Sequence, residues 1–301
     1  MNEDEHIARW LKLWPQGRKL PLGPGDDSAV LPAFPKKHQP VWKTDAIVQD
    51  VHFRLTDKPE RIGHKALARV LSDFAAMGAT PLSVLVTLGI PARLPDRFID
   101  GCYRGMARLA GAWKITLAGG ETTRSRDLWI SVTGLGSVPQ GKAVTRSGAK
   151  AGDLLFVTGK LGGSFPLRHL SFTPRLNEGV WLAKQGFASA MMDLSDGLGK
   201  DLPRLTASSK VSFRIQSSAL PKQSGCTPSQ AVNDGEDYEL LFSVKPGNTA
   251  ALLKKWPFKT RLTCIGLVGR PGLPHFTDGI VFQGYDHFLR KSQRSEIRNQ
   301  K

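Results

Sequence analysis

Half of the acids in this chain stand in six short stretches, most of them where an apolar run ends beside Gly, Ser or Thr. The stretches hold Asp26 and Asp27; Asp45 and Asp50; Asp73; Glu121; Asp193, Asp196 and Asp201; and Asp234, Glu236, Asp237 and Glu239, which is 13 of 26 Asp and Glu. Carboxylates brought to one place repel each other and persist only where cations compensate them. Carboxylate oxygen with few His or Cys partners selects hard cations, Mg²⁺ ahead of Mn²⁺ or Ca²⁺. Small neighbours also leave backbone N–H groups open to phosphate oxygens. A fold for this chain must therefore carry the ends of several strands and helices to one place that holds metal and phosphate. Taken singly, each stretch has a plainer reading: GDD as a surface turn, Asp45 as a turn cap, Asp73 as a salt-bridged helix residue, DLSDG as a capped helix start. The joint arrangement carries the hypothesis.

The formal net charge of +16 has two readings: a nucleic-acid-binding surface, or a basic field around an anionic small substrate. The bunched acids favour the second, since a surface for nucleic acid would exclude them. At 301 residues and 40% hydrophobic content the chain is long enough for about two domains with a sizeable core. Cys102, Cys226 and Cys264 are far apart and odd in number, so reduced, buried, structural thiols are expected. The start, MNEDEHIARW, lacks the layout of a signal peptide, and no apolar run is long enough to span a bilayer. A cytoplasmic protein without membrane partners is expected.

Strands are expected over 41–48, 83–91, 115–123, 127–138, 153–159, 211–216, 238–244 and 262–268, with ITLAGGETT entering a turn at its glycines. Helices are expected near the start, over 62–78 and over 95–113, after Gly162-Gly163-Ser164, and after DLSDG. In the helix over 62–78, Ala66, Val70, Phe74 and Met77 share one face, Lys65, Arg69 and Ser72 lie on the other, and Asp73 falls at the edge. Residues 138–153, rich in Gly, Lys and Arg, read as a linker between domains over 1–140 and 141–301. The basic last twelve residues read as loose.

Eight motifs in order, GPGDDSAVL, KTDAIVQDVHF, ALARVLSDFAAMGATP, AGGETTRS, TRSGAKAGDLLFVTG, MMDLSDGL, DGEDYELLF and GYDHF, resemble the thiamine-monophosphate kinase family over residues 20 to 288. That family belongs with the aminoimidazole ribonucleotide and selenophosphate synthetases. The resemblance implies a two-domain α/β fold with mixed sheets. In it the N-terminal domain binds ATP and metal and pairs with a second copy to close a β-barrel, and a C-terminal α/β domain completes the site. It implies a homodimer that uses several Mg²⁺ ions to move the γ-phosphoryl of ATP onto thiamine monophosphate. Carried over by position, Asp27, Thr44 (through an oxygen), Asp45, Asp73, Glu121, Asp193 and Asp196 are the metal ligands. Gly120, Glu121, Arg146 and Ser195 meet the nucleotide, and His52, Glu236 and Tyr285 meet the substrate. No dedicated base is expected, because a phosphate acceptor is already ionised and the chemistry rests on charge neutralisation, to which Arg146 contributes.

Asp234 replaces part of the usual glycine pair before the GEDYEL-like motif, and two further residues depart from the family pattern: Glu121 where Asp is usual, and Lys43 where a small residue precedes Thr-Asp. They keep open a degenerate paralogue that binds nucleotide without turnover. Selenophosphate synthetase calls for a reactive Cys near the start, and residues 1–101 contain none; the hydrogenase-maturation relative calls for a C-terminal Cys, and this chain ends Asn-Gln-Lys. A nucleic-acid-binding protein would leave the clustered acids unexplained.

Overall fold

A computed structural model describes residues 3–15, 20–24, 28–166 and 168–285. Asp26, Asp27 and the basic tail lie outside the described residues. The chain opens with α1 (Glu3–Leu13) and β1 (His38–Val48), then α2 (Pro59–Met77), β2 (Thr80–Ile90), α3 (Asp96–Trp113), β3 (Thr116–Arg124) and β4 (Trp129–Pro139). These strands make a sheet in the order β1-β4-β2-β3. Strands β2 and β3 run parallel, and α3 supplies the crossover such a pair requires. Proline in the first turn starts α2, and Gly78 ends it with a left-handed φ of 67°.

The second half contains β5 (Leu154–Thr158), α4 (Leu176–Gln185), β6 (Ala188–Asp193), α5 (Leu198–Ser208), β7 (Ser212–Ile215), α6 (Pro228–Asn233), β8 (Leu240–Val244), α7 (Thr249–Lys255) and β9 (Leu262–Gly269). Its sheet is antiparallel throughout, in the order β6-β8-β5-β9-β7. Alternate residues face opposite sides. Leu155, Val157 and Leu241 pack with α5 and α6. Phe156, Met191 and Phe242 face the other way and join Leu67, Val70 and Phe74 of α2 in one continuous core. The two halves therefore share a hydrophobic interior. Helix α4 lies directly on α2: a Cβ at Gly179 would stand 2.0 Å from the Ala75 carbonyl oxygen, so only glycine permits the approach.

Several expectations need correction. Gly119 and Gly120 lie inside β3, which continues past them to Arg124; a register shift against β2 between Val84 and Leu85 accommodates them. Gly162-Gly163-Ser164 opens no helix, because Gly162 and Gly163 take left-handed φ values of 80° and 65° and turn the chain instead. Cys102 is buried as expected, but Cys226 is half-buried and Cys264 exposed. The linker has no regular structure over 140–153, yet it is packed: Val144 is buried and donates its N–H to the Met77 carbonyl at 3.2 Å. Mixed α/β architecture with two sheets stands; a single chain carries an open four-stranded N-terminal sheet, and no closed barrel forms among the described residues. Among those residues no helix is long and apolar enough to cross a membrane.

Candidate active site

The polar side of α2 organises the site. At helical spacing Lys65, Arg69, Ser72 and Asp73 form one stripe, and it faces β1 on one side and the second half of the molecule on the other. Lys65 meets Glu236, Arg69 meets Asp45, Ser72 meets Asp193 and Asp73 meets Lys43. The apolar side of the same helix holds the core, so α2 fixes the polar groups against a rigid interior.

At one end stand Asp45, Asp73 and Asp193. Arg69 grips Asp45 with two bonds, Nη2 to Oδ1 at 3.0 Å and Nε to Oδ2 at 3.2 Å. The Lys43 ammonium lies 3.0 Å from Asp73 Oδ2, and the Ser72 hydroxyl donates to Asp193 Oδ2 at 2.7 Å. Burial first, and then the Asp193 carboxylate, push Asp73 up to about 7 despite Lys43. Burial also raises Asp193, against the hydrogen bond from Ser72 and the charges of Lys43 and Arg146. The acids thus share one field without forming a ready-made cage: among the described residues no three His, Cys, Asp or Glu side chains are placed to hold a metal ion. The donor chemistry still fits a hard divalent cation, since these groups offer carboxylate oxygen and burial raises Asp73 and Asp193 without one.

The other end is a narrow cleft between the two halves. His52 from the turn after β1, Glu236 from the loop before β8 and Tyr285 from the C-terminal segment converge there with Ser195, Asp196, Arg69 and Phe165. The backbone explains the convergence. The DLSDG turn accepts the Glu236 N–H on the Ser195 carbonyl at 2.7 Å and the Tyr285 N–H on the Asp196 carbonyl at 2.8 Å. Glu236 and Tyr238 take left-handed φ values of 58° and 52°, a strain of roughly 1–2 kcal/mol per residue held by the surrounding contacts. Burial alone would raise the Glu236 carboxyl; the Lys65 ammonium and the Arg69 guanidinium beside it outweigh burial and hold the group well below the usual carboxylate range.

The structure brings together Asp45, Asp73 and Asp193 at one end and His52, Ser195, Asp196, Glu236 and Tyr285 at the other. Asp196 is engaged by Arg204 at 2.7 Å. Arg146 lies in the loop pinned along β6, where the Thr145 carbonyl accepts from Met191 N–H at 2.9 Å, and it is close enough to lower Asp193. Thr44 and Glu121 stand apart. Strand alternation puts the Thr44 hydroxyl on the outer face of the first sheet, 2.9 Å from Thr133 Oγ1, so its side chain does not join Asp45. Glu121 pairs in register with Thr87, which pairs with Ser131, and lies exposed on that same outer face. Gly120 beside it lies close against β2, where a Cβ would meet the Val86 carbonyl oxygen at 1.9 Å. Asp27 lies outside the described residues. Sequence reasoning passed over Lys65, His169 and Phe165; the signal available for Lys65 was its place on one helical stripe with Arg69 and Ser72.

The chain is similar in sequence and fold to known proteins. Residues 25–138 match the family described as AIR synthase related protein, N-terminal domain. The thiamine-monophosphate kinase of Rhodopirellula baltica is 39% identical over 278 residues, covering 85% of this chain and 87% of that one. The crystal structure of thiamine-monophosphate kinase from Stenotrophomonas maltophilia K279a is 32% identical with a TM-score of 0.79, covering 92% of this chain and 96% of that one. A solved structure of AaThiL complexed with AMPPCP and TMP is 29% identical with a TM-score of 0.74, covering 88% and 91%.

Proposed function

The chain belongs to the thiamine-monophosphate kinase family, and from that premise we propose that it transfers the γ-phosphoryl group of ATP to thiamine monophosphate, giving thiamine diphosphate and ADP. The observation that carries the reading is the meeting of His52, Glu236 and Tyr285, from three distant segments, in one cleft with Asp196 of the acid-bearing DLSDG turn. A relative of the same fold has been solved with AMPPCP and TMP together.

In this reading the thiamine moiety lies in the cleft against His52, Glu236 and Tyr285, with its phosphate toward Asp193. A phosphate oxygen of the acceptor attacks the γ-phosphorus in line, and the bond to the β,γ-bridging oxygen breaks to release ADP. The acceptor oxygen is already ionised, so no side chain need remove a proton. His52 Nδ1 accepts the Val48 N–H at 3.1 Å, which orients the ring as a contact rather than a base. Arg146 and Ser195 steady the triphosphate. Asp45, Asp73, Asp193 and Asp196 would hold Mg²⁺, with Asp27 as a further ligand. Bound there, magnesium supplies the positive charge that lets two phosphate groups approach.

We also propose a cytoplasmic homodimer, with domains over 1–140 and 141–301. The support for the dimer is the outer face of the first sheet, where Trp42 is 62% exposed beside Leu85. Glu121 and Gly120 line the same groove, so a second copy seated there is what would bring Glu121 to a nucleotide site. The test is an assay with ATP, Mg²⁺ and thiamine monophosphate that follows thiamine diphosphate, with free thiamine as control. Product that requires all three supports the reading, and none under any divalent cation refutes it.

A further inference from the structure

We infer that Lys65 is a positioning residue whose ammonium ties together the three walls of the cleft that hold His52, Glu236 and Phe165. The inference rests on the function proposed above for its meaning in catalysis, and on geometry alone for its structure.

The Lys65 side chain has 0% exposure. A buried ammonium costs several kcal/mol unless its charge is paired and its donors are used. It has three N–H donors and no acceptor. Three acceptors meet it: the His52 carbonyl at 2.8 Å, His169 Nδ1 at 2.8 Å and Glu236 Oε2. The proton on His169 is placed by its other nitrogen. Nε2 lies 3.0 Å from the Pro166 carbonyl, which can only accept, so Nε2 carries the hydrogen and Nδ1 offers its lone pair to Lys65. The 3.1 Å approach of Nδ1 to Glu236 Oε2 sets two acceptors side by side under one shared ammonium.

None of these acceptors is on α2. They come from the turn after β1, from the segment around Arg168–Leu170 and from the loop before β8. His52 and Glu236 line the cleft directly. His169 acts one step further, since its ring stacks on Phe165 at 4.1 Å, and Phe165 is 54% exposed into the same cleft. Lys65, saturated and out of reach of any ligand, acts only through these partners. Its contact with the Glu236 carboxylate adds to the Ser195 carbonyl, which accepts the Glu236 N–H at 2.7 Å, in fixing a residue whose φ is 58°.

The experiment is steady-state kinetics with thiamine monophosphate and ATP varied separately. Lys65→Met should raise the KM for thiamine monophosphate by about tenfold or more and leave the KM for ATP within about twofold. His169→Leu should act in the same direction by about threefold. His169→Asn, whose amide oxygen stands where Nδ1 does, should restore the wild-type value. A merely structural role would lower the folded fraction, and so the apparent kcat, without moving either KM. A wild-type KM for thiamine monophosphate in folded Lys65→Met overturns the inference; if that variant does not fold, equal KM values for His169→Leu and His169→Asn overturn it. Should the wild type not phosphorylate thiamine monophosphate, the function fails by itself. Hydrogen exchange around His52, Pro166 and Glu236 then decides: faster exchange in His169→Leu at an unchanged melting temperature supports the clamp, and unchanged exchange refutes it.

Discussion

The two ends of the site use charge in opposite ways. At one end Asp73 is pushed up to about 7 and Asp193 is raised as well, so these acids resist ionising together. At the other, Glu236 is held down to about 2, and the ammonium beside it has every donor placed. In the function proposed above, the first end takes a cation from solution, while the second has its charges paired within the fold. That division suits phosphoryl transfer, in which the reacting phosphates need mobile positive charge while the organic part of the acceptor needs a fixed shape. Both ends hang on one face of α2.

The largest expected effect comes from breaking the first end. Asp73→Asn and Asp193→Asn should each lower kcat by about 10²–10³-fold, the scale seen when one preorganised electrostatic group is removed. The metal-free variants should melt no lower than the wild type, since each loses a carboxylate that burial disfavours. Glu236→Gln should do the reverse to stability. It leaves the buried Lys65 ammonium without its counter-charge, at about 3 kcal/mol by analogy with broken buried pairs, read from chemical denaturation.

The pH dependence of stability separates the ends next. Asp73 titrates near 7 folded and near its ordinary value of 3.8 unfolded, so between those pH values the folded chain binds more protons. Its contribution is therefore lost as pH rises from about 4 through about 7. Asp201 and Asp237, raised to about 7 chiefly by burial, add the same sign. Glu236 has the opposite sign: its contribution is present above the unfolded value and lost as pH falls toward about 2. In chelator, melting temperature should fall between pH 5 and 8 by these shifts. Mg²⁺ should recover part of the loss at pH 8 and little at pH 5, and Asp73→Asn should shrink the recovered part. A Mg²⁺ effect equal at both pH values would break the contrast.

Much of this division was legible in the sequence, and what escaped did so for physical reasons. The acids and their small neighbours pointed to the end where Asp45, Asp73 and Asp193 gather, because carboxylates drawn from the ends of separate elements repel each other and stand out as a group. The strand at 41–48 and the helix at 62–78 showed their periodicities, and β1 and α2 follow them. Lys65 was invisible as a site residue because an amphipathic pattern separates polar from apolar but does not say that the polar side meets solvent. Gly119 and Gly120 read as a turn because glycine punctuates turns more often than strands; here Gly120 serves close strand approach. The helices α6 and α7, of six and seven residues, are too short for a 3.6-residue period to declare itself. That Thr44 and Glu121 share the outer face of the sheet, while Asp45 one residue from Thr44 faces inward, became visible only on folding.

Lys43 tests a finer point. Its ammonium beside Asp73 occupies part of the space and charge that a cation would take. Lys43→Gln should therefore tighten Mg²⁺ binding by about three- to tenfold in calorimetry, in line with one removed like charge of about 1 kcal/mol, while lowering metal-free stability at pH 8. Weaker Mg²⁺ binding would show that Lys43 assists the metal instead. The smallest effect is expected at Glu121. If the longer side chain suits its place on the outer sheet face, Glu121→Asp should lower turnover by about two- to fivefold. A gain at every Mg²⁺ concentration would favour a degenerating site.

The central claim is that the acids serve the transfer step and the Lys65-clamped end serves the acceptor. The most direct test measures thiamine diphosphate formation by the wild type, Asp73→Asn and Glu236→Gln, with thiamine monophosphate varied at saturating ATP and Mg²⁺. The account predicts a wild type that turns over, a loss confined mainly to kcat in Asp73→Asn, and a loss mainly in the KM for thiamine monophosphate in Glu236→Gln. The converse assignment of kcat and KM, or a folded wild type that forms no thiamine diphosphate, would contradict it.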